Sequence, residues 1–184
     1  MAARESNRLV IDASVARAAG GEDAVFPRSK HCRDFLKATL VVCHRVVLTP
    51  EIGEGWKQHR SNFARRWLVS MMARKKVHLL GNVVNDELRG RVERAAAHAG
   101  NDEREAMRKD FLLIEAAIAT DRIVISLDDT AKGLFAVAAR SVGELKNIAW
   151  VNLGQAEEQP ILWLENGAKS ETPRLLGSQA GGNR

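Results

Sequence analysis

Two apolar runs in this chain end in aspartate. Arg8-Leu-Val-Ile leads into Asp12, and Arg122-Ile-Val-Ile-Ser-Leu leads into Asp128. An aspartate after a strand serves commonly as a turn former or helix cap. Several such residues meeting at one place do something else: their charges repel and call for a cation. All-oxygen ligands suit hard divalent ions such as Mg²⁺ or Mn²⁺. Asp110 makes that second role worth considering. It shares a helical face with Met107, Ile114 and Ala117, so its carboxylate sits on a core-facing stripe. There it is costly unless paired with Arg or Lys or bound to metal. Glu51 and Glu54 follow a third apolar run, Arg45-Val-Val-Leu-Thr. Both suit the first turns of a helix, where they complement its dipole.

The elements around these acids explain how they would meet. Residues Asp102 to Thr120 read as one helix and Arg122 to Leu127 as the strand after it. Asp110 lies ten residues before the helix end, about 15 Å back along its axis. The strand rises about 20 Å in the opposite direction. Asp110 therefore returns nearly level with the strand's carboxyl end, beside Asp128. Strands are expected at Arg8–Asp12, Arg45–Thr49, Val77–Leu80, Arg122–Leu127 and Ile148–Val151. Helices are expected at Lys30–Cys43 behind a Ser29 cap, from Thr49-Pro50, at Asn62–Arg74, at Asp86–His98 and at Thr130–Ala139. In the helix at 62–74, Phe63, Trp67, Leu68, Met71 and Met72 form the inner face. This alternation predicts a three-layer α/β/α fold with a central parallel sheet of about five strands. Sites in such sheets form at the carboxyl ends of the strands.

A single domain over residues 1–168 is expected. Pro160–Leu164 would pack as an extra edge segment, and the Gly-, Ser- and Pro-containing tail, 169–184, would be disordered. Of 184 residues, 45% are apolar and 28% charged, an ordinary globular composition. No apolar run approaches membrane-helix length and the N-terminus lacks a signal-peptide core, so a cytoplasmic protein is expected. The two cysteines, Cys32 and Cys43, read as buried thiols, and the five histidines form no zinc-binding pair. Net charge is +5 and favours a polyanionic partner. Seven Lys or Arg and no acid occur from Lys57 to Lys76. Lys57, Arg60, Arg65 and Arg66 are the nucleic-acid-binding candidates from this stretch. A solvated helix face is the plainer alternative.

Taken together, Leu9-Val-Ile-Asp12-Ala-Ser14, Leu48-Thr-Pro-Glu-Ile-Gly-Glu54, Lys109-Asp110-Phe-Leu-Leu-Ile-Glu-Ala-Ala117 and Ile123-Val-Ile-Ser126-Leu-Asp128 resemble the four motifs of the PIN-domain nucleases, in order. The resemblance spans roughly residues 8 to 151. It implies metal-dependent endonuclease activity, on RNA more than DNA. Asp12, Glu54, Asp110 and Asp128 would be catalytic, with one or two Mg²⁺ or Mn²⁺ ions on Asp12, Asp110 and Asp128. Ser14, Ser126 and Asp129 would support them. The choice of Glu54 over Glu51 rests on the resemblance alone. So do the expectations of an antitoxin protein partner, as for toxins of toxin–antitoxin pairs, and of a homodimer. The residues after Val151 depart from the compact toxins of that family.

Two other classes compete. One is a non-catalytic module that binds nucleic acid or a partner protein on the same fold. The other is a different phosphate-handling enzyme. An aspartyl-nucleophile phosphatase shows DxD after its first strand, where this chain has Asp12-Ala-Ser14, and neither GxGxxG nor GxxxxGK[ST] occurs.

Overall fold

Leu9, Val10, Ile11, Val46, Val47, Val124, Ile125, Trp150 and Val151 are all fully buried. Unbroken burial along a strand means that both faces are covered, as in a parallel sheet between helices. The computed structural model describes residues 6–179. In it, β1 (Arg8–Ile11), β2 (Arg45–Leu48), β3 (Val77–Leu79), β4 (Ile123–Ser126) and β5 (Ala149–Asn152) form one all-parallel sheet in the order β3-β2-β1-β4-β5. The expected five-stranded parallel architecture is therefore present.

The helices are α1 (Ala13–Ala18), α2 (Pro27–Val41), α3 (Pro50–His59), α4 (Asn62–Ala73), α5 (Asp86–Ala95), α6 (Asn101–Lys109), α7 (Phe111–Ile118), α8 (Asp129–Ala138), α9 (Pro160–Glu165) and α10 (Leu176–Gln179). One group packs around α2, with α1, α4 and α9. Another packs around α8, with α5, α6 and α10. Local chemistry sets several boundaries. Thr49 caps α3 by accepting the Ile52 N–H on Oγ1 at 3.2 Å, and Pro50 occupies the first turn. The Trp56 indole N–H donates to the Ile11 carbonyl at 2.9 Å, tying α3 to the end of β1. Asp121 accepts the Arg8 backbone N–H at 2.6 Å and two guanidinium bonds at 3.0 and 2.8 Å. This joins the start of β1 to the turn between α7 and β4.

Several expectations need correction. The helix expected over 102–120 is two helices, broken at Asp110 (φ −97°, ψ 1°). The second helix of the chain starts at Pro27 with Phe26 in the cap position, and Ser29 lies inside it. Met72 is 51% exposed and is not on the inner face of α4. Pro160–Leu164 is helical rather than an edge segment. The tail is not disordered over its described part, because Leu175 bridges to Ala149 on the outer edge of β5 and Leu176 is fully buried. The domain thus extends to residue 179 at least; residues 180–184 lie outside the described residues. Cys32 is buried, and burial pushes its thiol up to about 12, but Cys43 is exposed. Among the described residues, no helix is long and apolar enough to cross a membrane.

Candidate functional site

The strand order reverses at β1. The chain builds β2 and β3 on one side of it, then returns to place β4 and β5 on the other. Such a switch point opens a crevice at the carboxyl ends of the two central strands. Asp12 follows β1 there and Asp128 follows β4. The Asp12 N–H donates to the Ile125 carbonyl at 2.9 Å, continuing the β1–β4 ladder by one rung. Two hydroxyls then hold its side chain. Ser14 and Ser126 both donate to Asp12 Oδ2, the latter at 3.1 Å. In turn the Leu127 N–H donates to Ser14 Oγ at 3.3 Å and the Asp128 N–H to Ser126 Oγ at 3.1 Å. Asp12 Oδ1 has no hydrogen-bond partner among the described residues. Asp128 caps α8 through Oδ1, which accepts the Ala131 N–H at 2.8 Å, so one of its oxygens is committed to structure.

Asp110 reaches this rim from the opposite element. It closes α6 and opens α7, its own carbonyl accepting the Leu113 N–H at 3.0 Å. Its Oδ2 is buried and has no hydrogen-bond partner. Burial, then the charge of Asp12, then that of Asp128, push its carboxyl up to about 8. Asp110 therefore feels two chain-distant acids, and its carboxyl stays protonated at neutral pH. Packing holds α7 in this position: Phe111 meets Phe135 edge-on at 5.9 Å, and Phe135 meets Trp150 at 5.7 Å.

The remaining candidates fall elsewhere. Glu54 is more than half exposed; it accepts from Gln58 at 2.9 Å and lies 3.8 Å from Lys57. Its backbone is nonetheless near the rim, since a Cβ on Gly55 would stand 3.8 Å from that of Ala13. Glu51 is exposed too, and its charge acts on Arg89. Neither glutamate contributes to the Asp110 shift. Asp129 spends both oxygens on amides, Asn152 at 2.7 Å and Gln155 at 3.1 Å, so it braces the β5 end and does not join the rim.

The basic stretch is not one surface. Arg66 pairs with Glu22 at 2.9 Å, and the Lys76 ammonium caps the last carbonyls of α2 at Thr39, Leu40 and Val42. The Lys76 carbonyl accepts from Val46 N–H, which sets Arg74–Lys76 at the start of β3, the end of the sheet opposite the acids. Arg60 and Arg65 remain without a partner among the described residues. An open groove of about 480 Å³ lies instead beside Asp128, lined by Ser14, Arg17, Ala18, Arg28, Leu127, Asp128, Asp129 and Thr130. Arg17 and Arg28 are not among the residues expected from the sequence. The available signal was the position of Arg17 on the first helix after Asp12.

The donor set is hard oxygen, and the buried, orphaned Asp110 Oδ2 suits a divalent cation. Among the described residues no group of three or more His, Cys, Asp or Glu side chains is placed to hold a metal ion. Cation binding at this rim therefore calls for side-chain adjustment. Compared with known proteins, the chain matches no family model and no curated protein.

Proposed function

We propose that this chain is a Mg²⁺- or Mn²⁺-dependent endoribonuclease of the PIN type, with Asp12, Asp110 and Asp128 as cation ligands. The observation that carries the reading is the unpartnered, buried Asp110 oxygen in the field of two other carboxylates. A structural acid in that position acquires an arginine, a lysine or backbone N–H groups. When bound, a hard divalent cation lowers the pKa of coordinated water and offsets charge on a scissile phosphate. Ser14 and Ser126 orient the Asp12 carboxylate. Asp128 serves at once as α8 cap and ligand. Glu54 acts from the near wall after turning from Gln58. The four-motif resemblance supports RNA as the substrate class, and suggests the toxin half of a toxin–antitoxin pair, with an antitoxin partner and a homodimer, in the cytoplasm.

Cleavage of a labelled RNA with Mg²⁺, Mn²⁺ or EDTA tests this, with wild type, Asp12→Asn and Asp110→Asn side by side. We expect cleavage only by wild type with metal. Equal cleavage in EDTA or by Asp12→Asn would overturn the reading. The exposed placement of Glu54 favours one competitor, a non-catalytic binding module. That reading wins if RNA is bound but never cut under any of these conditions.

A further inference from the structure

The groove beside Asp128 carries two guanidiniums that no acid among the described residues engages. Arg17 stands in the last turn of α1 and Arg28 in the first turn of α2; both are exposed. Neither makes a hydrogen bond or an ion pair within the described residues, although Asp128 and Asp129 line the same groove. Arg28 reaches across the rim toward β5, its Nε coming to 4.0 Å from where a Cβ on Gly154 would stand. Gly154 itself closes a turn by donating its N–H to Asn152 Oδ1 at 2.7 Å. The contrast with the Lys57–Lys76 stretch is direct. There Lys57, Arg66 and Lys76 already have protein partners, and the stretch ends at the opposite edge of the sheet.

We propose that Arg17 and Arg28 clamp a backbone phosphate of single-stranded RNA, the phosphate neighbouring the one at the acidic rim. Arginine's planar fork matches phosphate oxygens two at a time. Two such forks in the groove give the strand a path into the site, and Asp128 and Asp129 in the same lining repel a phosphate placed against them instead. The groove is open and large enough for a nucleotide-sized group. This inference rests on the nuclease reading for the scissile position, yet it concerns strand binding and can be tested apart from cleavage.

The test uses the full chain carrying Asp12→Asn, so that no RNA is cut, and fluorescence anisotropy of a labelled uridine-rich single strand. Arg17→Ala with Arg28→Ala is expected to weaken binding at least tenfold. The salt dependence of log K should also flatten by about 0.7, the slope carried by one neutralised phosphate on a single strand. Arg65→Ala with Arg66→Ala is expected to change binding far less. Both pairs are on the surface, and unchanged circular dichroism verifies the fold. Unchanged binding by the Arg17/Arg28 pair, or a larger loss from the Arg65/Arg66 pair, overturns the clamp. An equal loss of binding to polyglutamate also overturns it, in favour of a dock for acidic protein segments. If wild type never cuts RNA but the Arg17/Arg28 pair still loses it, the clamp stands and the nuclease reading falls. If metal-dependent cutting is found and binding is indifferent to the pair, the opposite holds.

Discussion

Asp110 and Glu115 are five residues apart on the same side of the sheet, and the protein treats their charges in opposite ways. Glu115 is 3% exposed, yet every demand it makes is met. Oε1 accepts the Asn85 N–H at 2.8 Å and Arg89 Nε–H at 2.7 Å, and Oε2 accepts Arg89 Nη2–H at 2.7 Å. The same guanidinium lies over the Phe111 ring, 5.6 Å from its centroid. Asp110 has a buried oxygen with nothing to receive, and the charges that act most on it are two further acids, which the neighbouring Lys109 opposes only in smaller measure. The fold supplies an arginine to one buried carboxylate and withholds it from the other. Glu115 reads as architecture that fixes α5 against α7. Asp110 reads as a group kept for something that binds.

The sharpest way to break this contrast is to remove the partner of Glu115. Arg89→Ala leaves a buried charge with one backbone N–H. We expect a loss of about 3 kcal/mol in urea unfolding, the lower part of the range for a broken buried pair because Arg89 is itself a third exposed. A cost near zero would make the pair incidental.

Removing the charge of Asp110 should act in the other direction. In the folded, metal-free protein its carboxyl holds a proton up to about pH 8, against an ordinary value of 3.8. Between these values the native state binds more protons than the unfolded chain, so stability falls as pH rises and the loss is complete above the folded value. Asp110→Asn should therefore stabilise the metal-free protein by about 1–2 kcal/mol at pH 8, discounted for residual solvent contact. The gain should vanish toward pH 4. Thermal unfolding at both pH values measures it, and a destabilised variant at pH 8 would mean that the carboxylate has a partner after all.

The smallest effect is expected at Asp129, an acid next to the rim whose two oxygens are already held by amides. Asp129→Asn should lower the rate of RNA cleavage by less than about tenfold, below the usual cost of losing an outer partner of a metal ligand, because Asp129 bonds only Asn152 and Gln155. A loss as large as that of Asp12→Asn would move Asp129 into the ligand set.

Much of the scaffold was legible from local pattern. The apolar runs before Asp12 and Asp128, the Thr49-Pro50 helix start and the antiparallel return of α7 against β4 all rest on short-range chemistry, and each is present. Element lengths alone set Asp110 level with Asp128, and Asp12 was expected only at a neighbouring strand end. What was hidden depends on distant contacts. Lys109-Asp110-Phe111 contains no Gly or Pro, so the break at Asp110 has no local cause; it arises where α6 and α7 pack on different neighbours. The Gly- and Ser-containing segment at 169–179 looked unable to support structure. Two residues anchor it, Leu176 in the core and Arg174, which bonds Glu158 at 3.2 Å and covers the Trp163 ring at 5.1 Å. The basic stretch shows the same limit, because composition counts charges without saying where their partners are. Arg17 and Arg28 do not stand out in the sequence for the same reason, since an isolated arginine announces nothing until its surroundings are known.

One measurement bears on the whole account: calorimetric titration of the full chain with Mn²⁺ at pH 7, repeated in buffers of different ionisation heat. Because Asp110 keeps its proton until a cation displaces it, wild type should bind Mn²⁺ and release about one proton per ion. Asp110→Asn should lose both the binding and the release. Mn²⁺ binding to wild type with no proton released, or binding to Asp110→Asn as tight as to wild type, would contradict a cation centre built on this buried carboxyl.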